Sequence, residues 1–232
     1  MKFSTLFTTL VLTLPLMAHG TPKLTPANLD RVYLPRGYDS NDNIQIVGEG
    51  VFPNTCYRPS NVEVKIDSDA RKVFLGPVAF EYPGSCLQVE MPFHRTIEIG
   101  VLDSGSWQVV RRSDGFTLGK LEVVRALSES PDDFLYAPIS QAYFKQEAGS
   151  AQILLTGNLL SSCMRLDDVR LSIFDDVIIV QPIVRLDEGS DCKSGEFPFK
   201  SWTAIDFLRR KRYLLHVRSM NGHAVNSLID AE

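Results

Sequence analysis

The sequence predicts an all-β protein that consists of two tandem immunoglobulin-like antiparallel β-sandwich domains, each with one intradomain disulfide. Three observations favour this fold. A unit anchored on a cysteine pair occurs twice, apolar residues alternate with polar ones within both copies, and strong helical periodicity is absent. About six short strands with regular turns in roughly 100 residues are typical of a β-sandwich. The likeness to immunoglobulin domains is architectural, because no Trp lies between either pair of cysteines.

The two copies share landmarks at fixed distances from their cysteines. Gln45 and Gln152 each stand eleven residues before the first cysteine of their copy, and a glycine follows five residues later in both. Trp107 and Tyr213 each stand twenty-one residues after the second cysteine. Self-similarity of this kind indicates a duplicated structural unit.

Residues 1–20 read as a secretory signal peptide. Lys2 supplies a positive charge, and an uncharged, mainly apolar run follows over residues 3–17. Small residues then allow cleavage after Gly20 or, alternatively, after Ala18. The segment is too short to remain as a membrane anchor, and no later apolar run reaches the ~18 residues of a spanning helix. We therefore expect a periplasmic or secreted protein with no transmembrane anchor after signal cleavage.

The mature chain divides into two repeats. The first β-sandwich is expected over residues 21–127 and the second over residues 134–232, with a short acidic linker between them. The composition, 44% apolar and 22% charged, is that of an ordinary globular protein. A net charge of −4 argues against a nucleic-acid partner, since general nucleic-acid binders are strongly basic.

Four cysteines in an exported chain predict disulfides. Three pairings are possible in principle, and the duplication favours Cys56–Cys86 and Cys163–Cys192. Closing a loop of about 30 residues stabilises a domain by roughly 3–4 kcal/mol in the chain-entropy model. We expect each bridge to fix a loop or neighbouring strands rather than to join the two sheets.

Alternating apolar runs locate the strands. In chain order they are expected at 43–50, 62–66, 72–81, 96–102, 106–112 and 120–126, and then at 151–156, 169–174, 177–186, 203–208, 212–218 and 224–229. Residues 21–30 are aperiodic and read as a loosely held leader. Pro77 predicts an edge strand or a bulge, because proline lacks the donor of a ladder hydrogen bond. A hairpin is expected around residues 103–105, with residues 209–212 in the equivalent hairpin of the second copy.

The most distinctive polar feature is a run of four cations, Arg209, Arg210, Lys211 and Arg212. Adjacent like charges repel each other, and in an acidic protein such a cluster can attract an anionic partner. The run is therefore a possible anion-binding site for an anionic component of the cell envelope. The alternative is an ordinary solvated turn.

No catalytic, cofactor-binding or metal-binding residue is predicted, and we expect no cofactor. The histidines, apart from His19 in the predicted signal peptide, show no metal-ligand spacing, and none recurs in both copies; they are His94, His216 and His223. Ser190 and Lys193 match a penicillin-recognising pattern, but they lie in a turn, and the match reads as coincidence. The acidic pairs read as solvated turns; they are Asp132-Asp133, Asp167-Asp168, Asp175-Asp176 and Asp187-Glu188.

Three hypotheses for function follow. The first is an exported, non-catalytic binding or structural protein, because the repeated positions are apolar, Gly, Pro and Cys, which belong to a scaffold. The second rests on a resemblance: two such domains after a signal peptide, in a chain of 232 residues, resemble the periplasmic pilus chaperones, which lend a β-strand to a pilin subunit. That resemblance implies a periplasmic assembly chaperone-like protein. It covers architecture only, because the two domains of those chaperones are not evident sequence repeats and their basic cleft residues match no position here. The third is a cell-envelope hydrolase.

Overall fold

The computed structural model describes residues 20–130, 132–147, 150–187, 191–206 and 208–232. The predicted signal peptide lies outside these ranges except for Gly20, and so do Glu188 and Ser190. The described residues form sixteen β-strands and contain no helix, so the all-β prediction is confirmed. None of them belongs to a helix long and apolar enough to cross a membrane.

Nine strands lie in the N-terminal half, which we define as residues 20–127. They are β1 Lys23–Pro26, β2 Arg31–Tyr33, β3 Tyr38–Asp39, β4 Ile44–Phe52, β5 Tyr57–Asp67, β6 Lys72–Glu81, β7 Met91–Gly100, β8 Gly105–Arg111 and β9 Thr117–Val124. Strands β2, β4 and β7 form a three-stranded sheet. The others form a six-stranded sheet in the order β1-β6-β8-β9-β3, with β5 paired to β6. One buried apolar cluster takes residues from both sheets, including Ile46 and Trp107.

Seven strands lie in the C-terminal half, which we define as residues 134–232. They are β10 Ile139–Glu147, β11 Ser150–Ser161, β12 Met164–Phe174, β13 Val177–Leu186, β14 Ser194–Ile205, β15 Arg212–Ser219 and β16 His223–Asp230. They form a three-stranded sheet, β10-β11-β14, and a four-stranded sheet, β12-β13-β15-β16. A second apolar cluster again takes residues from both sheets, including Ile153 and Tyr213.

The pairing departs from the expected antiparallel pattern in both halves. Strand β6 pairs with β8, and β13 with β15, in parallel, and the short β3 pairs in parallel with β9. Between the strands of each of the first two pairs, the chain crosses to the three-stranded sheet, forms β7 or β14 there, and returns. The hairpins predicted around residues 103–105 and 209–212 are therefore wrong. Both segments connect different sheets, which alternation within single strands cannot reveal.

The expected leader is also wrong, because it contains a strand. Strand β1 pairs with β6, with Leu24 opposite Phe80. Just after it, Leu29 is completely buried in the N-terminal core. Three of four residues in β1 are exposed, which explains why the segment shows no apolar alternation.

Both predicted disulfides are formed, Cys56–Cys86 and Cys163–Cys192, and each has a Cα–Cα distance of 5.4 Å. No cysteine in the described part of the chain is free. In each half the bridge joins two loops that cross between the sheets. In the N-terminal half these loops precede β5 and follow β6, and in the C-terminal half they precede β12 and follow β13. Two formed disulfides indicate an oxidising, extracellular compartment.

A hydroxyl side chain beside the first cysteine of each pair holds the opposite loop. Thr55 Oγ1 accepts a hydrogen bond from the amide of Leu87 at 3.0 Å, and Ser162 Oγ accepts one from the amide of Lys193 at 2.9 Å. The carbonyls of Leu87 and Lys193 in turn accept the amides of Thr55 and Ser162. This recurring contact is not evident from the sequence, because Thr55 corresponds to Ser162, and Leu87 to the chemically different Lys193.

Candidate binding surface

Three large apolar side chains, two exposed and one half-buried, form a row on the outer face of the three-stranded sheet of the C-terminal half. Leu154 on β11 pairs with Tyr143 on β10 and with Trp202 on β14, so the three side chains cross the sheet side by side. Tyr143 is 49% exposed and Trp202 is 54% exposed. We call Tyr143, Leu154 and Trp202 the aromatic row. Aromatic residues on an exposed face are enriched at binding surfaces because they offer large contact areas with few rotatable bonds.

Polar residues flank the aromatic row on both sides. On one side Thr156 pairs with Gln141 and Lys200, and on the other Gln152 pairs with Lys145 and Ala204. The Tyr143 hydroxyl donates a hydrogen bond to Gln141 Oε1 at 2.6 Å. The face thus has an apolar centre and a polar rim, which is the arrangement of protein interfaces.

The corresponding positions of the N-terminal half lie in an interface. Tyr33 pairs with Val47 on the outer face of the three-stranded sheet there, just as Tyr143 pairs with Leu154. Tyr33 and Val47 are buried against three residues of the C-terminal four-stranded sheet, Val177, Ile179 and Leu214. The third position in the row is the exposed Thr96, where the C-terminal half has Trp202.

A buried polar cluster continues the interface between the halves. The His216 Nδ1 atom lies 2.7 Å from Asn226 Oδ1, and its Nε2 atom lies 3.4 Å from the Tyr38 hydroxyl. Asn226 Nδ2 donates to Gln45 Oε1 at 3.1 Å, and the Tyr38 hydroxyl donates to the Gln45 carbonyl at 2.7 Å. These contacts connect β15 and β16 of one half to β3 and β4 of the other.

Arg218 and Asp42 form a buried ion pair in the same interface. The distance between Arg218 Nη1 and Asp42 Oδ2 is 3.6 Å, and their side chains are only 7% and 8% exposed. Arg218 Nη2 also donates to the carbonyl of Gly37, while Asp42 accepts a hydrogen bond from the amide of Asp39 at 2.9 Å. Removing one partner of such a pair strongly destabilises a protein, because the other charge is left buried and uncompensated.

Burial shifts the pKa of two groups in this cluster in opposite directions. It lowers the pKa of His216 from 6.5 to about 4, and the charge of Arg218 adds to this effect. It raises the pKa of Asp42 from 3.8 to about 6, although Arg218 favours the ionised carboxylate. The adjacent cavity is about 20 Å³, room for about one water molecule. The contacts of the cluster join the two halves.

The predicted basic run is divided between two roles. Arg212 forms ion pairs with Asp230, at 2.8 Å, and with Glu49 of the N-terminal half. Glu49 also accepts a hydrogen bond from the Tyr33 hydroxyl at 2.9 Å. Arg212 thus contributes to the interface between the halves, which the interpretation of the run as a hairpin tip did not foresee.

The other three cations of the run differ in their contacts. Lys211 Nζ donates to the carbonyl of Asp175 and lies 4.8 Å from the centre of the Tyr213 ring. The side chains of Arg209 and Arg210 are exposed, and within the described residues they form no ion pair or hydrogen bond. An anionic partner could therefore use these two side chains without breaking an internal contact.

A cleft of about 540 Å³ lies between the halves, and Asp175 and Asp176 are among the residues that line it. Asp175 is paired with Arg36 at 3.4 Å, and Asp176 is paired with Arg31. A glycosidase needs one protonated and one ionised carboxyl facing each other across its substrate. Here both members of the acidic pair have an arginine partner, and Glu122, the other carboxylate that lines the cleft, accepts a hydrogen bond from the Ser106 hydroxyl at 2.7 Å. Asp175 also has φ 53°, as expected for the turn between β12 and β13.

The other candidate residues are dispersed. His94 lies on β7 and His223 begins β16, and both are exposed, whereas His216 is buried. Asp167 and Asp187 form exposed ion pairs with Arg185. The described residues include no group of three or more His, Cys, Asp or Glu placed to hold a metal ion.

Comparisons with protein-family models, with curated proteins and with solved structures found no match to this chain.

Proposed function

We propose that this chain is an exported, non-catalytic binding or structural protein built from two duplicated β-sandwich domains. The duplication is supported by the same order of pairing in both halves, by one disulfide at the same place in each, and by contacts that recur. The carbonyls of Pro77 and Pro182 each accept a hydrogen bond from an alanine amide, and each proline lies within two residues of a register shift in its strand pair. Gly50 and Gly157 each leave no room for a side chain, because a backbone carbonyl and a phenylalanine ring lie against them.

Export to the periplasm or the medium is supported by the N-terminal sequence and by the two disulfides. The charged start and the uncharged apolar run that follows it are typical of a signal peptide. Disulfides persist in compartments that lie outside the reducing cytosol.

The observation that carries the binding function is the aromatic row. Two of its members, Tyr143 and Leu154, occupy positions that are buried against another sheet in the N-terminal half, and Trp202 replaces the exposed Thr96 there. Tyr143 and Trp202 are nevertheless about half exposed. Exposed rows of large apolar side chains with a polar rim are uncommon on monomeric proteins and mark interaction surfaces. We infer that the row binds a macromolecular partner in the cell envelope or outside the cell.

The test is site-specific photocrosslinking in cells that export the protein. A photoreactive phenylalanine analogue at position 202 should form a covalent adduct with the partner, whatever that partner is. The matched control carries the same analogue at Gln108, on the outer face of the N-terminal six-stranded sheet. No adduct at position 202, or equal adducts at both positions, would refute a binding role for the row.

A second candidate, an assembly chaperone, is supported by the edge of the C-terminal three-stranded sheet. Strand β14 is twelve residues long and, within the described residues, pairs only with β11. A long unpaired edge can add a strand from another chain. Pro198 within β14 lacks a donor and restricts such pairing. Photocrosslinking along this edge, at Glu196 instead of Trp202, distinguishes strand addition from binding at the aromatic row.

A further inference from the structure

A β-sheet already covers the N-terminal counterpart of the aromatic row. Tyr33 and Val47 lie under Val177 and Leu214, which project from the outer face of the C-terminal four-stranded sheet. Gln45, two residues before Val47, is buried in the same contact, whereas Gln152, two residues before Leu154, is exposed. Two of the three positions of the aromatic row are thus positions that the N-terminal half buries under another sheet.

The N-terminal six-stranded sheet of a second copy, in a head-to-tail chain, matches the aromatic row less well than the C-terminal sheet matches Tyr33 and Val47. Strands β6 and β8 begin their parallel pairing with Lys72 opposite Gln108, and β13 and β15 begin theirs with Val177 opposite Leu214. Two of the three apolar covering positions therefore hold a charged and a polar residue in the N-terminal sheet, and only the third, Phe74 in place of Ile179, stays apolar.

Face-to-face pairing of two C-terminal halves has no such obstacle. A twofold axis along β11 at Leu154 places Tyr143 of one copy against Trp202 of the other, twice, and Leu154 against Leu154. On either side of this apolar centre, Gln141 then faces Lys200, and Lys145 faces Ala204. In the two rows that flank the apolar centre no like charges oppose each other, and only at the end of the face, beyond Lys145 and Ala204, does Glu147 of one copy approach Asp206 of the other. Twofold dimers are the commonest form of soluble oligomer.

The size of the face limits the strength of this contact. Three strands about 4.8 Å apart, with β11 spanning about 40 Å, present a face of roughly 560 Å² per copy. Two such faces bury about 1,100 Å² in total, which lies at the small end of specific interfaces. The contact is therefore a weak one that forms at micromolar or higher concentrations.

We propose that the outer face of β10, β11 and β14 is the contact surface of a twofold homodimer, in which the aromatic rows of two copies pack against each other. This inference rests on the binding role proposed above, and it names the partner as a second copy of the chain.

Sedimentation velocity of the purified mature chain, from about 1 to 500 µM, tests the proposal. The wild type should shift from monomer to dimer across this range. Trp202→Glu should weaken the association at least tenfold. The control Leu127→Glu, which adds the same charge at a 97% exposed apolar residue far from the row, should leave it unchanged. Circular dichroism verifies that each variant is folded.

A second variant keeps the test decisive if Trp202→Glu does not fold. Leu154→Cys places a thiol on the twofold axis, facing its copy across sheets that pack about 10 Å apart. A short bis-maleimide, which adds one thiol at each end, should therefore link two copies faster than with Leu127→Cys. A wild type that stays monomeric throughout, or a dimer that neither substitution affects, overturns the homodimer. If the wild type stays monomeric and the photocrosslink at position 202 captures a molecule whose mass differs from that of this chain, the binding role stands and only the self-association fails.

Discussion

Replacing either of two neighbouring leucines on β15 by Ala should destabilise the full chain, but only one of the two replacements should destabilise an isolated C-terminal half to the same extent. Leu214 faces Tyr33 and Val47 across the interface, whereas Leu215 faces the core of its own half, and both are completely buried. Replacing Leu214 by Ala removes three buried carbon atoms, each worth about 0.8 kcal/mol, and leaves a cavity. We expect the full mature chain to lose about 2.5–4 kcal/mol of its free energy of unfolding. In an isolated C-terminal half, residues 134–232, the cover over Leu214 is gone, and the loss should fall below about 1 kcal/mol.

Urea denaturation followed by circular dichroism measures both quantities, with Leu215→Ala as the matched control. That control removes the same atoms from the adjacent residue and should destabilise the isolated half and the full chain alike, by about 2–5 kcal/mol. The reasoning fails if Leu214→Ala costs the isolated half as much as it costs the full chain. It fails equally if Leu214→Ala leaves the full chain unaffected, because the interface would then contribute nothing to stability.

Three further predictions concern the separate core, the polar cluster and the basic run. A fragment of residues 21–127 should fold alone under oxidising conditions, because it has its own apolar cluster and its own disulfide. The prediction is contradicted if circular dichroism shows the fragment to be unfolded while the full chain melts in one transition. The stability from His216, with its lowered pKa, is fully present above pH 6.5 and is lost as the pH falls toward 4. The contribution of Asp42, with its raised pKa, is present below pH 3.8 and is lost as the pH rises through about 6. Urea denaturation should therefore show a steeper loss of the free energy of unfolding on acidification from pH 6 to 4 in Asp42→Asn than in the wild type; equal pH dependence in both would contradict the opposing signs. Replacing Arg209 and Arg210 by Ser should abolish salt-sensitive binding to heparin or anionic vesicles without loss of stability; unchanged binding, or no binding by the wild type at any salt concentration, would leave the run a solvated turn.

Much of the fold could be predicted because alternation and cysteine spacing are local signals. The strand boundaries 72–81 and 177–186 agree with β6 and β13, and both disulfides were predicted from the repeat. The connections between sheets could not be predicted in this way. A loop that crosses between sheets and a loop that closes a hairpin use the same residues, so the parallel pairing of β6 with β8 has no local signature.

The candidate surface was harder to predict, because burial between halves depends on which faces meet. The sequence identified Gln45 and Gln152 as equivalent, but one is buried in the interface and the other is exposed. Trp202 lies inside an alternating run in which one face must be solvent-exposed, and a single sequence does not show whether a partner covers it. The spacing of His216 from the other histidines does not reveal its environment. Its two partners, Tyr38 and Asn226, lie 178 and 10 positions away from it in the sequence.

The polar end of the interface fixes how the two halves are aligned, and its apolar end supplies the attraction. Tyr33, Val47 and Leu214 would tolerate a small shift of one sheet across the other, because apolar contacts are not directional. The polar end tolerates no such shift. Moving β15 by one residue along β4 would turn His216 away from Tyr38 and leave Arg218 buried without Asp42, at a cost of several kcal/mol. The polar cluster therefore selects one arrangement of the halves, and this arrangement leaves the aromatic row exposed on the opposite side of the C-terminal half.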